Sequence, residues 1–253
     1  YRFERPHPPA PTDTLGYEGK GAPVSYTGMT WSGFRPSDDA CAWGYLVPAN
    51  FFASVVLGYL AEIAREVLNN RRLERRATAL KSAIEEGIEK HAVVHHPDYG
   101  EIYCYETDGA GHYLLMDDAN VPSLLSLPLL GAIANDHPRY LNPRRFILSG
   151  DNPYFHRGRF AQGVGSPHTP SGFIWPIALA VQGLTARDPA EKLAMIQMMT
   201  ATDAGSGLMH ESFDPDNPAR FTRPWFSWAN AMFCELVLDY CGLSVSKLIA
   251  NKE

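Results

Sequence analysis

The sequence predicts an all-α fold in which helix hairpins pack side by side as an α/α toroid or barrel. Apolar residues recur at helical spacing in about seven segments of the chain. The connections alternate between short turns and long loops rich in glycine, proline and aromatic residues, as expected if one rim of a ring of hairpins is elaborated. Because these helices do not alternate with strands, a doubly wound sheet and a TIM barrel are not expected.

The first predicted helix hairpin follows residues 1–30, an extended lead-in to the same domain that is rich in proline, glycine, serine and threonine. Apolar residues then recur every four positions, which predicts a wide-striped helix over 51–68. Asn69 and Asn70 end it. A second helix is predicted over 73–88, where charged residues interleave with the apolar ones and indicate an exposed far face.

The rest of the chain predicts one irregular segment and five further helices. Residues 91–116 contain short alternating stretches and glycines, typical of a hairpin or an irregular loop. Asp188 and Pro189 form a helix start, and Gly242 is suited to end the last helix. The five helices are predicted over 120–134, 143–148, 171–184, 188–199 and 225–240.

Composition argues against two classes of partner. The chain has 22 basic and 28 acidic residues, a formal net charge of −6, so binding to nucleic acid through the phosphate backbone is not expected. The longest apolar run, residues 51–60, falls short of the roughly 20 residues that a membrane helix needs, so no membrane span is predicted.

The cysteines predict no disulfide framework and leave the compartment open. None of the four forms a C-x-x-C pair. Cys234 and Cys241 lie seven residues apart in one predicted helix, which separates their Cα atoms by roughly 10 Å and is too far for a bridge. We therefore expect both to be buried thiols.

Five loop or loop-edge segments share a composition that is typical of a sugar site. Each combines carboxylate, amide, histidine or arginine with an aromatic or small residue. Sugar hydroxyls need polar partners, whereas sugar C–H faces stack on aromatic rings. Glycoside hydrolysis also needs two carboxyl groups that flank the scissile bond. The five segments are 28–39, 116–120, 165–170, 209–213 and 221–230.

The acidic residues of these segments also have a structural interpretation. Asp38 precedes residues 40–52, which are also predicted to be helical, and Asp117 and Asp118 precede the helix predicted over 120–134. An aspartate is a good N-cap at such a helix start. Glu211 is followed by no apolar helical run, so capping explains this residue less well.

The other residues have alternatives too. Trp225 and Trp228 lie three apart at a predicted helix start, a spacing that is common in helix cores. His168 is equally suited to bonding a nearby carbonyl. Arg35 and Arg223 have a surface alternative, but their aromatic and proline-rich context favours a fixed placement.

Other chemistries have weaker sequence support. His95 and His96 are adjacent and therefore point apart, and the H-E-x-x-H pattern of a zinc site is absent. The sequence also lacks the G-x-S-x-G elbow of a serine hydrolase and the glycine-rich phosphate loops of nucleotide-binding proteins.

Taken together and in order, six strings of the sequence resemble glycoside hydrolase family 125, the exo-acting α-1,6-mannosidases. Any one of them is a weak signal, whereas six in register over most of the chain are specific. The strings are GMTWSGFRPSDDA from Gly28, MDDANVPSLLS from Met116, GSPHTP from Gly165, IWPI from Ile174, MHESF from Met209 and FTRPWFSWAN from Phe221.

The resemblance implies an (α/α)6 barrel, catalysis without a metal or other cofactor, and inversion at the anomeric carbon. The family barrel has twelve helices, so a chain with about seven is expected to be the C-terminal part of a longer protein. The missing N-terminal part is then an expected partner. An incomplete ring is expected to expose a large apolar patch.

The resemblance also implies roles for individual residues. Asp38 is expected to be the general acid and Glu211 the general base of a single displacement, with Asp39 as the alternative acid. Water must fit between the carboxyl groups, which sets their separation at roughly 6.5–9.5 Å. The expected ligand is an α-mannoside glycan. The residues expected to bind it are Trp31, Arg35, Asp39, Asp117, Asp118, Asn120, His168, Thr169, His210, Arg223, Trp225 and Trp228.

Two alternative functions use the same fold. One is a catalytically silent barrel that binds mannose or a glycan. The other is an α-glucosidase of related fold. Turnover of an α-1,6-mannoside, compared with that of glucosyl substrates, distinguishes these alternatives.

Overall fold

The computed structural model describes residues 14–243 and divides the chain into two compact units. The first unit comprises Tyr1–Met116 and Val121–Arg145. The second comprises Asp117–Asn120 and Phe146–Glu253. Of the lead-in predicted over 1–30, residues 1–13 lie outside the described residues.

The first unit is built on a long helix hairpin. Its helices are α1 (Gly16–Gly19), α2 (Val47–Glu66), α3 (Arg71–His91) and α4 (Pro138–Ile147), the last of which runs just past the unit's end. The packing of α2 on α3 confirms the predicted pair, although both helices are longer than predicted. Asn70 caps α3, because its side-chain oxygen accepts a hydrogen bond of 3.0 Å from the Leu73 amide.

Short strands complete the first unit. Strands β2 (Val93–His96) and β3 (Gly100–Tyr103) form an antiparallel hairpin, as predicted for this segment. A second sheet has the order β1-β4-β5, all antiparallel, and consists of β1 (Tyr45–Leu46), β4 (Glu106–Thr107) and β5 (Tyr113–Leu114).

The second unit packs three helices together and adds two small hairpins. Helix α5 contacts both α6 and α7, and α6 contacts α7. Its elements are β6 (Phe155–Arg157), β7 (Gln162–Val164), α5 (Pro176–Leu184), α6 (Pro189–Ala201), β8 (Ser212–Asp214), β9 (Asn217–Thr222) and α7 (Ser227–Tyr240). Asp188 caps α6 through the Ala190 amide, and Gly242 has φ 75° just after α7, both as predicted.

The predicted helix over 120–134 is wrong, because this segment forms turns. Ser123 and Ser126 explain the difference. Each hydroxyl oxygen accepts a hydrogen bond from the other residue's amide, at 3.1 and 2.9 Å, and these local bonds compete with a helical ladder. Pro128 supplies no amide donor to such a ladder.

Other elements differ from the prediction in extent. The helix predicted over 171–184 starts only at Pro176, because Gly172 has φ 88° and Ile174 pairs with Phe213. Helix α4 starts five residues before the predicted 143. The all-α prediction also omitted the nine short strands of two to six residues that occur within residues 14–243.

The cysteine prediction is wrong for two residues. All four thiols are free, but Cys234 and Cys241 are exposed rather than buried. Cys104 is the fully buried one, and burial raises the pKa of its thiol to about 12. The apolar pattern around Cys234 indicated a buried helix, whereas α7 leaves Trp228, Leu238 and Tyr240 exposed.

Helix α2 carries an exposed apolar stripe, as the resemblance to a longer barrel led us to expect. Five apolar side chains form it and are 41–70% exposed, namely Phe52, Val56, Tyr59, Ile63 and, just past the helix end, Val67.

The same helix corrects the prediction that the chain contains no apolar run long enough to span a membrane. Within residues 14–243, Val47–Glu66 is the one helix long and apolar enough to cross a membrane, by length and composition alone. Core helices of soluble proteins pass the same test.

Two isoleucines of the helix hairpin test which face of it is covered. Ile84 is fully buried, so Ile84→Ala is expected to lower the free energy of unfolding by about 2–5 kcal/mol. Ile63 is 48% exposed, so Ile63→Ala is expected to change it by less than about 0.5 kcal/mol. Urea unfolding monitored by circular dichroism measures both. Equal losses in the two variants would contradict an uncovered stripe.

Candidate active site

In the first unit, the predicted catalytic aspartates lie in a tight turn. Phe34 and Ala40 form an antiparallel bridge, and the Arg35 amide donates to the Asp39 carbonyl at 2.8 Å. Asp38 occupies the turn with φ 72° and is exposed. Asp39 is 3% exposed, and its Oδ2 accepts a hydrogen bond of 2.7 Å from the Ser37 hydroxyl. The N-cap interpretation of Asp38 is wrong, since the next helix begins only at Val47.

A buried ion pair fixes this turn. The Arg35 Nε lies 2.6 Å from Oε1 of Glu106, and the two side chains are 8% and 0% exposed. Burial acts to lower the pKa of Arg35, but the Glu106 carboxylate outweighs burial, so the pKa is raised above its usual value. The other carboxylate oxygen, Oε2, accepts the Ala42 and Trp43 amides at 2.8 and 3.0 Å. Arg35 therefore holds the turn that carries Asp38.

The sequence reasoning missed Glu106. One signal was available, because Glu106 directly follows the apolar stretch 102–105. A buried carboxylate needs a cation or several amide donors. The partner could not be identified, because 71 residues separate Arg35 from Glu106.

Trp31 is partly buried and packs against glycines. A Cβ atom at Gly44 would lie 2.3 Å from the indole Nε1, and one at Gly33 would lie 2.9 Å from the ring. The neighbouring Thr30 is tied to α2, because Asn50 Oδ1 accepts both its amide and its hydroxyl, at 2.7 and 2.9 Å. The glycines thus leave the space that the indole occupies.

In the second unit, the Asp117–Asn120 segment forms a buried polar network. Oδ1 of Asp118 accepts the amide and the side-chain Nδ2 of Asn120, at 3.0 and 2.9 Å, and Oδ2 accepts the Ser166 hydroxyl at 3.2 Å. The Asp117 amide donates to Oδ1 of Asn152 at 3.2 Å. The helix-cap interpretation of Asp117 and Asp118 is wrong, since turns follow them.

The network continues through the Gly165 loop to a tryptophan. The His168 amide donates to the Ser166 hydroxyl oxygen at 3.2 Å. The Thr169 hydroxyl oxygen accepts the indole N–H of Trp175 at 2.8 Å. Trp175 is 2% exposed, and its ring centroid lies 6.4 Å from that of His168. Trp175 belongs to the IWPI string but was not predicted as a site residue.

Glu211 lies at the start of the β8–β9 hairpin and is 5% exposed. Its Oε1 lies 3.1 Å from Nε of Arg223, and its amide donates to the Thr222 carbonyl at 3.2 Å. Arg223 has φ 41°, a conformation that is strained for a residue with a side chain. A strained backbone that persists next to a buried carboxylate is typical of a functional site.

A series of aromatic contacts begins at Arg223, the partner of Glu211. The Arg223 guanidinium lies 5.6 Å from the Phe226 ring centroid, and Phe226 contacts both Trp175 and Trp228. Trp225 and Trp228 are each 61% exposed, so the alternative that places them in a core is wrong.

Contacts within the second unit therefore join parts of five of the six strings. They run from Asp118 through Ser166, Thr169 and Trp175 to Phe226, Arg223 and Glu211. His210 also lies here, but it is 1% exposed and bonded to main-chain oxygens. Within residues 14–243, histidine, cysteine, aspartate and glutamate form no group of three that could hold a metal ion.

The sequence matches the family model of the metal-independent α-mannosidases of glycoside hydrolase family 125 over residues 1–238. The chain belongs to this family. The resemblance that the six strings carry is thus confirmed, and the helix-rich fold agrees with it.

Comparisons with two other proteins give the scale of the likeness. A Streptococcus pneumoniae protein from a family of metal-independent α-mannosidases, solved as a non-productive complex with α-1,6-mannobiose, is 49% identical. It matches with a TM-score of 0.90 over 92% of this chain and 55% of its own. The meiotically up-regulated gene 157 protein of Schizosaccharomyces pombe is 45% identical over 230 residues, which is 90% of this chain and 45% of that protein. The chain thus spans about half the length of both.

Proposed function

We propose that this chain carries the catalytic residues of an exo-acting, inverting α-1,6-mannosidase. Family membership supports an α-mannosidase, and the α-1,6-mannobiose bound to the Streptococcus pneumoniae protein supports the linkage. One structural observation carries the proposal. A buried carboxylate, Glu211, is held by Arg223, whose guanidinium lies over the Phe226 ring, and Phe226 in turn contacts the exposed Trp228.

Glu211 is the proposed general base. The Arg223 guanidinium next to it favours the carboxylate form, which is the form that removes a proton from water. The hydrogen bond from the Glu211 amide to the Thr222 carbonyl holds the backbone of Glu211. The Arg223 guanidinium holds its carboxylate. A fixed base holds the attacking water on one side of the sugar ring.

Asp38 is the proposed general acid, with Asp39 as the alternative. Asp38 is the more accessible of the two, whereas the Asp39 carboxyl is buried and bonded to Ser37. In the proposed step, the acid donates its proton to the glycosidic oxygen while water attacks the anomeric carbon from the opposite face. The C–O bond to the leaving sugar breaks, and Glu211 takes the water's proton. Inversion requires about 6.5–9.5 Å between the two carboxyl groups.

The remaining predicted residues are proposed to bind the mannoside. Trp225 and Trp228 offer exposed indole faces for sugar C–H groups to stack on. Asp118 accepts hydrogen bonds from Asn120 and Ser166, and Thr169 accepts one from Trp175. These bonds fix the polar side chains and the loop that begins at Gly165. Trp31 and Arg35 lie in the first unit, where Arg35 holds the turn that carries the proposed acid.

Release of mannose from α-1,6-mannobiose tests this proposal. We expect turnover of the mannobiose, little turnover of the matched α-1,6-linked glucose disaccharide, and unchanged rates after treatment with a chelator. Binding of mannobiose without hydrolysis would instead favour a silent glycan-binding protein. Faster hydrolysis of the glucose disaccharide would favour an α-glucosidase, and loss of activity on chelation would contradict metal-independent catalysis.

A further inference from the structure

Trp43 and His112 form a stacked pair of rings in the first unit, and neither was predicted to be a site residue. Their ring centroids lie 5.0 Å apart with an interplanar angle of 19°. Trp43 is partly exposed, and the His112 side chain is 67% exposed. Both rings are therefore within reach of a ligand.

The His112 ring is held in place although it is exposed. Its Nδ1 lies 2.6 Å from Oδ2 of Asp108. Oδ1 of Asp108 accepts the amides of Ala110 and His112 at 2.7 and 3.0 Å, and the Thr107 hydroxyl donates to the His112 carbonyl at 2.9 Å. A side chain that is fixed before a ligand arrives loses less conformational freedom when the ligand binds. The imidazole is thus preorganised for binding.

The stacked pair is connected to the turn that carries the proposed acid. Glu106 makes the connection, because its Oε1 pairs with Arg35 and its Oε2 accepts the Trp43 amide at 3.0 Å. The Arg35 carbonyl in turn accepts the Asp38 amide at 3.0 Å. One carboxylate of the first unit therefore holds both the acid turn and the backbone of Trp43.

Each ring of the pair has one polar nitrogen available to a ligand. Among residues 14–243, neither the indole N–H of Trp43 nor Nε2 of His112 has a hydrogen-bond partner. The indole N–H only donates, whereas an imidazole nitrogen donates or accepts according to its protonation. A hydroxyl group suits both nitrogens in every case, because it both donates and accepts. Two such nitrogens on neighbouring aromatic rings suit a sugar.

We propose that Trp43 and His112 bind the leaving sugar of the α-mannoside, which is the sugar that keeps the glycosidic oxygen. The assignment rests on the function proposed above. The general acid gives its proton to that oxygen, so the leaving sugar lies on the acid's side of the bond that breaks. The two rings are connected to the acid turn through Glu106 and offer the groups that a sugar needs. They then favour substrates whose leaving group is a sugar.

α-Mannosyl fluoride tests this assignment, because its leaving group is fluoride and needs no site for a leaving sugar. The variants are His112→Ala, Trp43→Phe, which keeps an aromatic ring without the N–H, and the double variant. In each single variant we expect kcat/KM on α-1,6-mannobiose to fall by about 2–10-fold, the contribution of one hydrogen bond, and by about tenfold or more in the double variant. The rates on the fluoride should stay those of the wild type. Tyr113→Phe is the matched control, since Tyr113 follows His112, is 48% exposed and should keep both rates.

The comparison of the two substrates decides the outcome. Equal losses on both would attribute the effect to the acid turn and overturn the assignment, and so would an unchanged kcat/KM on the mannobiose. Circular dichroism identifies a variant that does not fold. If Trp43→Phe fails to fold, His112→Ala decides alone, because its side chain is exposed. A wild-type chain that hydrolyses neither substrate would overturn the proposed function and this assignment with it, whereas selective loss on neither substrate in an active enzyme overturns the assignment alone.

Discussion

Glu211→Gln is expected to lower kcat on α-1,6-mannobiose by about 10²–10⁴-fold, the usual contribution of a general base. The amide keeps the shape of the side chain but cannot take a proton from water. Because the Arg223 side chain is 61% exposed, water can solvate the guanidinium after the change. The thermal midpoint should therefore move little, and KM should stay near that of the wild type. Steady-state release of mannose measures kcat and KM.

Asp214→Asn is the matched control for this prediction. Asp214 lies at the other end of the same short strand β8, and its carboxylate pairs with Arg220 at 2.8 Å. We expect this variant to keep the wild-type kcat. An equal fall in both variants would attribute the loss to damage of the hairpin rather than to loss of a base.

The acid is tested by a corresponding pair, Asp38→Asn and Asp39→Asn. If Asp38 is the acid, its variant loses about 10²–10⁴-fold in kcat, whereas mannosides with a good leaving group recover much of the rate. Such recovery in Asp39→Asn and not in Asp38→Asn would exchange the two assignments. Loss without recovery in either variant would contradict both.

Glu106→Ala is expected to lower the free energy of unfolding by about 3–5 kcal/mol, because it leaves the Arg35 guanidinium buried without its partner. It also removes the acceptor of the Ala42 and Trp43 amides. Urea unfolding of wild type and variant measures the loss. A change of less than about 1 kcal/mol would mean that the pair contributes no more than an exposed salt bridge does. That result would contradict the stabilising role given to this buried pair.

A double change separates the ion pair from the amide bonds. Arg35→Met with Glu106→Leu leaves no buried charge, so we expect it to be more stable than Glu106→Ala alone. It should remain less stable than the wild type, since the two amides still lack an acceptor. Glu74→Ala is the surface control, because the Arg71 side chain that it pairs with is 73% exposed and such pairs contribute about 0–1 kcal/mol.

Local signals in the sequence predicted the long helices well. The four-residue apolar repeat and the asparagines 69 and 70 located the α2–α3 pair, and Asp188 with Pro189 located the start of α6. These signals act within one or two turns of chain, so one sequence contains them. The 120–134 segment failed because hydroxyls of Ser123 and Ser126 bond amides that a helix would use.

The candidate site was predictable only in part, from the composition of five segments and from the resemblance. The six strings identified Glu211 and Arg223, and the structure joins them at 3.1 Å. Glu106 was missed because its partner is distant in the chain, and such pairings depend on the tertiary fold. The exposure of Cys234 was also unpredictable, because a periodic apolar pattern does not say which face of a helix finds a partner.

The stereochemistry of the first product tests the central claim most directly. Proton NMR of the anomeric signals, recorded as α-1,6-mannobiose is hydrolysed and before mutarotation, identifies the sugar anomer that is released. A single displacement by water, with Glu211 as base, predicts that β-mannose appears first. Initial release of α-mannose would mean that configuration is retained, and would contradict the general-base role of Glu211.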